Sequence, residues 1–182
     1  MTFPAFSGVD VLAAEDHPEL LASAVSDGLQ ASGLITQAGV FAIDPEHADT
    51  ETLTSQFGFS LDDSANCVVI GGKRGGEQRV AACVVLASTR ADVNKTAKGM
   101  LDVRKASFLS TEQAVADTGM EFGGITPIGV PAVWRILVDS RVVDREAIIL
   151  GSGVRRSKLV LPGSALAEYP GVEIVEGLAN PA

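Results

Sequence analysis

The chain is poor in several residue types that usually announce a chemistry. Only two histidines, two cysteines, one tryptophan and one tyrosine occur in 182 residues, and aromatics make up 5%. Histidine chemistry is poorly supported, with His17 placed at a helix N-terminus and His47 in the loop Asp44–Asp49. His47 beside Glu46 and Asp49 is a weak metal signal, because one imidazole with flexible carboxylates defines no geometry. No G-x-S-x-G elbow supports Ser-His-Asp catalysis. No apolar run approaches the roughly 20 residues that span a bilayer. Met1-Thr2-Phe3-Pro4-Ala5-Phe6 lacks a basic stretch leading into an apolar one, so no signal peptide is expected and the cytoplasm is the default.

Basic residues are missing from the first third. Residues 1–64 hold 11 acids and no Lys or Arg, while 65–182 hold 12 acids and all 14 bases, for a net −9. An acidic total argues against indiscriminate nucleic-acid binding, since phosphate contacts supply that affinity. It leaves room for a local basic face: Lys73–Lys105 carries eight bases against three acids.

What is present is an ordinary globular composition, with 46% hydrophobic and 20% charged residues, long enough for one domain over 1–182. Asp16-His17-Pro18-Glu19 resembles a helix cap, followed by Leu20, Leu21, Ala24, Val25 and Leu29 at helical spacing and by Gly33. Val40–Ile43 is β-like, and Asp49–Phe57 reads as a helix closed by Gly58. Ala65–Gly72 and Arg79–Ser88 read as a hairpin centred near Gly75, which brings Cys67 and Cys83 close to cross-strand register as free thiols. Helices are expected from Asp92 to Leu101 and from Ser110 to Gly119, and at Ser164–Glu168. Strands are expected at Lys105–Leu109, Val133–Val138, Val142–Val143, Ala147–Leu150 and Lys158–Leu161. Few strands are separated by long helices, so a mixed α/β domain with a mixed or antiparallel sheet is predicted over a doubly wound one.

Glu121-Phe122-Gly123-Gly124-Ile125-Thr126-Pro127-Ile128-Gly129-Val130-Pro131 is the most distinctive segment. Glycine admits close backbone approach and proline fixes φ, so this reads as a rigid loop presenting main-chain groups. Gly151-Ser152-Gly153-Val154-Arg155-Arg156-Ser157-Lys158 places three bases after a flexible turn, a pattern suited to an anion or to plain solvation. Gly71-Gly72-Lys73-Arg74-Gly75-Gly76 precedes a β-run, not a helix, and so fits a hairpin turn better than a phosphate loop.

The order of these segments resembles the YbaK-type aminoacyl-tRNA deacylases, related to the editing domain inserted in bacterial prolyl-tRNA synthetases. The likeness spans roughly residues 17–175, and Gly123-Gly124-Ile125-Thr126-Pro127-Ile128-Gly129 is its most specific part. The resemblance implies a mixed α/β fold around a largely antiparallel central sheet flanked by helices. It implies hydrolysis of the ester joining a small mischarged amino acid to tRNA, with no metal or cofactor. The implied partners are the tRNA acceptor end and an aminoacyl-tRNA synthetase. Asn66, Thr126 and Gly129 would be catalytic; Cys67, Gly124, Ile125, Pro127, Gly151, Ser152, Gly153 and Arg155 would bind substrate. Arg156 and Lys158 would join Arg155 in touching acceptor-end phosphates. One departure stands out: Asn66 occupies the place of a family Lys. Another base then compensates (Lys73, Lys98 or Arg155), or a different ester is taken, or the same pocket binds an aminoacyl or nucleotide group without cleaving it.

Overall fold

A computed structural model of the chain describes Phe3, Phe6 and residues 8–182. Met1, Thr2, Pro4 and Ala5, part of the segment read for a leader, lie outside the described residues. Eleven strands and six α-helices order the described residues. The strands are β1 (Leu12–Ala13), β2 (Gly39–Ala42), β3 (Ala65–Arg74), β4 (Glu77–Leu86), β5 (Thr89–Ala91), β6 (Ala106–Phe108), β7 (Arg135–Asp139), β8 (Ile148–Gly151), β9 (Ser157–Leu161), β10 (Val172–Val175) and β11 (Ala179–Pro181). The helices are α1 (Ser23–Ser32), α2 (Thr50–Phe57), α3 (Lys98–Leu101), α4 (Thr111–Thr118), α5 (Ser140–Val143) and α6 (Gly163–Glu168). No helix is long and apolar enough to cross a membrane among the described residues.

The sheets bear out a mixed, largely antiparallel α/β fold. One runs β10-β7-β4-β3-β6, the second β1-β2-β9-β8, and β11 pairs with β5. Only β4–β7 and β7–β10 are parallel among these pairs. A parallel bridge between Ser64 and Ile149 joins the start of β3 to β8, so the two larger sheets meet there. Alternation of side chains serves both faces of β4. Val84 and Leu86 enter the core beneath α1, α5 and α6; Ala81, Cys83 and Val85 enter a second core with Ala97, Leu101 and Leu178. On β8, Ile148 and Leu150 join the first core, while Ile149 turns to Phe41, Leu53, Phe59 and Val160.

Local chemistry explains several boundaries. Asp49 caps α2 by accepting from Thr52 N at 2.9 Å, Ser110 caps α4 by accepting from Gln113 N at 3.2 Å, and left-handed Gly58 and Gly119 end these helices. The β3–β4 hairpin turns on Gly75 and Gly76 alone, both at positive φ, as a two-residue turn of this hand requires. Cys67 faces Val84 and Cys83 faces Val68, one step out of mutual register, so the thiols point to opposite sides of the sheet. Both are free.

Several expectations differ, and the short strands β1, β5 and β11 were not expected. Helix α1 starts at Ser23, because Pro18–Leu20 forms a separate 3₁₀ turn and the His17 ring pairs with Glu19. Val142–Val143 is helical, not a strand: Asp139 accepts from Arg141 N at 3.0 Å and caps α5. Strand β10, whose Val172–Val175 extends the sheet parallel to β7, carries no strong turn signal and was not expected.

Candidate functional site

A cavity of about 750 Å³ opens where β3, β8 and β9 meet the start of α2 and the loop 121–125. That volume lies within the range of small-molecule sites. Its wall includes Asp49, Thr50 and Glu51 from α2 and its cap, Ser64 to Val68 around the start of β3, Phe122, Gly123 and Ile125 from the loop, and Gly151, Arg155 and Lys158.

Close packing builds this wall, and glycine makes it possible. Glu121 N donates to Gly153 O at 2.8 Å, Gly153 N to Gly124 O at 2.7 Å, and Gly124 N to Glu121 O at 2.9 Å, stitching the loop onto the turn after β8. A Cβ on Gly151 would lie 2.4 Å from Gly124 O, and one on Gly124 would lie 2.7 Å from Val154 O. Neither backbone could stay in place with a larger residue.

Arg155 fastens the mouth. Its guanidinium donates to Phe122 O at 3.0 Å and to Pro45 O at 2.9 Å, and its amide donates to Glu121 Oε2 at 2.6 Å. The guanidinium also lies 5.9 Å from the centre of the Phe122 ring, within cation–π range. Gly123 leaves room for it, since a Cβ there would stand 2.5 Å from Nη1.

The floor is polar. Thr50 Oγ1 donates to Asn66 Oδ1 at 2.6 Å, which turns the Asn66 amide N–H groups into the remaining donors of that side chain. Ser64 is 2% exposed and its hydroxyl has no hydrogen-bond partner, a costly state for a buried group. Lys158, on β9, is 6% exposed; its Nζ donates to Ala48 O at 2.5 Å. Burial pulls this ammonium down from 10.5 to about 8, with Asp49 opposing the shift and Arg155 adding to it. The backbone hydrogen bond from Thr52 holds the Asp49 carboxyl below its usual value, and the charge of Lys158 helps. Cys67 keeps a partly open surface on the cavity wall, yet burial pushes its thiol far up, which removes the thiolate a nucleophile needs.

Of the residues singled out in the sequence, Asn66, Cys67, Ile125, Gly151 and Arg155 line this one cavity. Gly124, Ser152 and Gly153 stand just behind it as packing. Ser152 is fully buried and its Oγ bonds to Val154 O and Ser157 O at 3.1 and 3.0 Å. Thr126, Pro127 and Gly129 are not part of the wall. Thr126 is fully buried with an unpartnered hydroxyl, Pro127 is buried, and Gly129 packs on Ala24 O while its amide donates to Tyr169 Oη at 3.1 Å. The three bases after β8 diverge: Arg155 crosses the mouth, Arg156 reaches Glu19 O at 2.6 Å, and Lys158 enters the wall. Lys73 lies toward the far end of β3, roughly 23 Å from Asn66 at the rise of an extended strand, and neither it nor Lys98 lines the cavity. Sequence reasoning missed Thr50, Ser64 and Phe122. Their only signal was position: at a helix start, before a strand, and beside the glycine pair. Among the described residues no three metal-ligating side chains are gathered.

The fold is thus a mixed α/β sheet structure with a cavity where the start of β3 meets the glycine-bearing loop. Residues 44–169 match the family of aminoacyl-tRNA editing domains, and the chain belongs to that family. Its fold is shared by hypothetical protein APE2540, at 16% identity and a TM-score of 0.75 over 87% of this chain and 100% of that one. It is shared also by a protein proposed to be a trans-editing enzyme for prolyl tRNA synthetase, at 14% identity and a TM-score of 0.73 over 89% and 99%.

Proposed function

We propose that this chain is an aminoacyl-tRNA deacylase acting in trans, which binds the 3′ end of a mischarged tRNA in the cavity and hydrolyses the ester of a small amino acid. The observation that carries the reading is the cavity itself: in a chain of the editing-domain family, Ser64, Asn66 and Lys158 are all among the residues that line it. An aminoacyl ester is already activated, so holding it beside water and stabilising the oxygen that becomes negative is sufficient chemistry. Asn66, oriented by Thr50, donates to the substrate. Cys67, Ile125 and Gly151 shape the aminoacyl end, and Arg155 with Phe122 frames the mouth. Gly124, Pro127, Ser152 and Gly153 support this surface from behind. Thr126 and Gly129 act through the loop they hold, not by contact. Rejection of the larger, correct amino acid by the shape of the cavity would make it a second sieve after synthesis.

A second reading, a binding protein that holds an aminoacyl or nucleotide group without cleaving it, draws on the neutral side chain of Asn66. Incubation with a panel of mischarged tRNAs separates the two. Ester loss well above buffer for one small amino acid supports the deacylase. Binding of an aminoacyl-adenosine analogue with no ester loss supports the binding protein and refutes the enzyme.

A further inference from the structure

Position 66 supplies no charge, and of the three bases weighed from the sequence to replace it, two do not reach the cavity. The third, Arg155, spends its guanidinium on Phe122 O and Pro45 O. Lys158 is different. It is the one buried Lys or Arg among the described residues and it lines the cavity wall. An ammonium has three donors, and one is used, on Ala48 O. No carboxylate lies within ion-pair distance of it among the described residues. Burying an ammonium without a paired anion is unfavourable, and a neutral donor could serve Ala48 equally well. A ligand with negative charge would complete the site.

We propose that Lys158 is the substrate-facing cation of this cavity, delivered from β9 in place of a charge at position 66 on β3, and that it holds the ester carbonyl oxygen as negative charge develops there. The proposal rests on the deacylase reading. In the step it assists, water adds to the carbonyl carbon and the bond to the 3′ oxygen breaks. A proton from that water passes to the departing oxygen, leaving a free amino acid and a 3′-hydroxyl. Nothing is oxidised or reduced. The charged groups acting on Lys158 are Asp49, at the cap of α2, and Arg155; Glu51 lines the same cavity. A cation confined there is partly neutralised as pH rises through about 8, so its contribution fades in that window.

The test compares wild type, K158M, K158R and the double variant N66K/K158M on a mischarged tRNA that wild type cleaves, with the buffer rate subtracted. Loss of one donor to an oxyanion lowers turnover by about 10²–10³-fold, which is the expected K158M effect. Wild type is expected to lose activity as pH rises above about 8, whereas K158R, permanently charged, loses that decline. Any inflection from the substrate's own amine stays in both profiles. N66K/K158M is expected to recover at least about tenfold of the K158M loss. Folding is followed by thermal melts throughout. A folded K158M that cleaves at the wild-type rate with the wild-type pH profile overturns the proposal, as does failure of both K158R and the double variant to exceed K158M. If wild type cleaves no tRNA of the panel, the deacylase reading fails separately. Lys158 is then judged by binding of a non-hydrolysable 3′-amide analogue of aminoacyl-adenosine: weakening of tenfold or more in K158M supports it, and unchanged affinity overturns it.

Discussion

A lysine kept for its charge should weaken the fold that holds it, and K158M measures by how much. Lowering the Lys158 ammonium from 10.5 to about 8 corresponds to on the order of 3 kcal/mol of stability forgone at neutral pH. The sign follows from proton counting. Below pH 8 folded and unfolded chains both carry the proton and the penalty is complete. Between about 8 and 10.5 the unfolded chain holds a proton that the folded chain has lost, so stability rises with pH. Above 10.5 both are neutral and the penalty is gone. Methionine removes the penalty but leaves Ala48 O without its donor, at about 1–3 kcal/mol. At pH 7 the two effects largely cancel or favour K158M, whereas at pH 10.5 only the loss is left. The stability difference between wild type and K158M should therefore swing by about 3 kcal/mol in favour of wild type across that interval. Urea unfolding of both proteins at a series of pH values reads it directly. Curves that stay parallel within about 1 kcal/mol would refute the reasoning about Lys158.

Phe122 is 62% exposed at the mouth and backed by Arg155, so F122A should weaken binding of an aminoacyl-adenosine analogue by about 1–3 kcal/mol, the worth of one base stack, with an unchanged melting temperature. G129A combines a φ of +82° with a Cβ placed 2.3 Å from Ala24 O; it should destabilise by about 2 kcal/mol or more, visible in the denaturation midpoint. Asp139 is fully buried; burial alone would raise its carboxyl, but the hydrogen bonds from Arg141 and the Ala179 amide prevail and hold it low. D139N should cost about 2–3 kcal/mol at neutral pH, and wild type should lose that advantage as pH falls through the carboxylate range, measured by melts of both proteins between pH 7 and 3.

Elements with chemical punctuation were legible in the sequence. Asp49 with Gly58, and Ser110 with Gly119, mark both ends of α2 and α4, and the Gly75-Gly76 turn fixes the longest hairpin. Val142–Val143 misled because two β-branched residues suggest a strand, while the Asp139 cap three positions earlier decides for a helix. The glycine-bearing loop was legible as a rigid wall, but not how its glycines are used. Gly124 and Gly129 face backbone from elsewhere in the chain, a contact that no local pattern records. Lys158 was the least legible of all. Following Arg155 and Arg156 it reads as a solvated base, and only the pairing of β9 with β2 and β8 carries it inside.

The most direct measurement of the central claim is ester hydrolysis by the wild-type chain on a panel of mischarged tRNAs at pH 7, with buffer and correctly charged tRNA as references. The account predicts cleavage of a small mischarged amino acid at many times the buffer rate, with the larger correct ester spared. No cleavage above buffer for any member of the panel, by protein that is folded and binds the adenosine analogue, would contradict it.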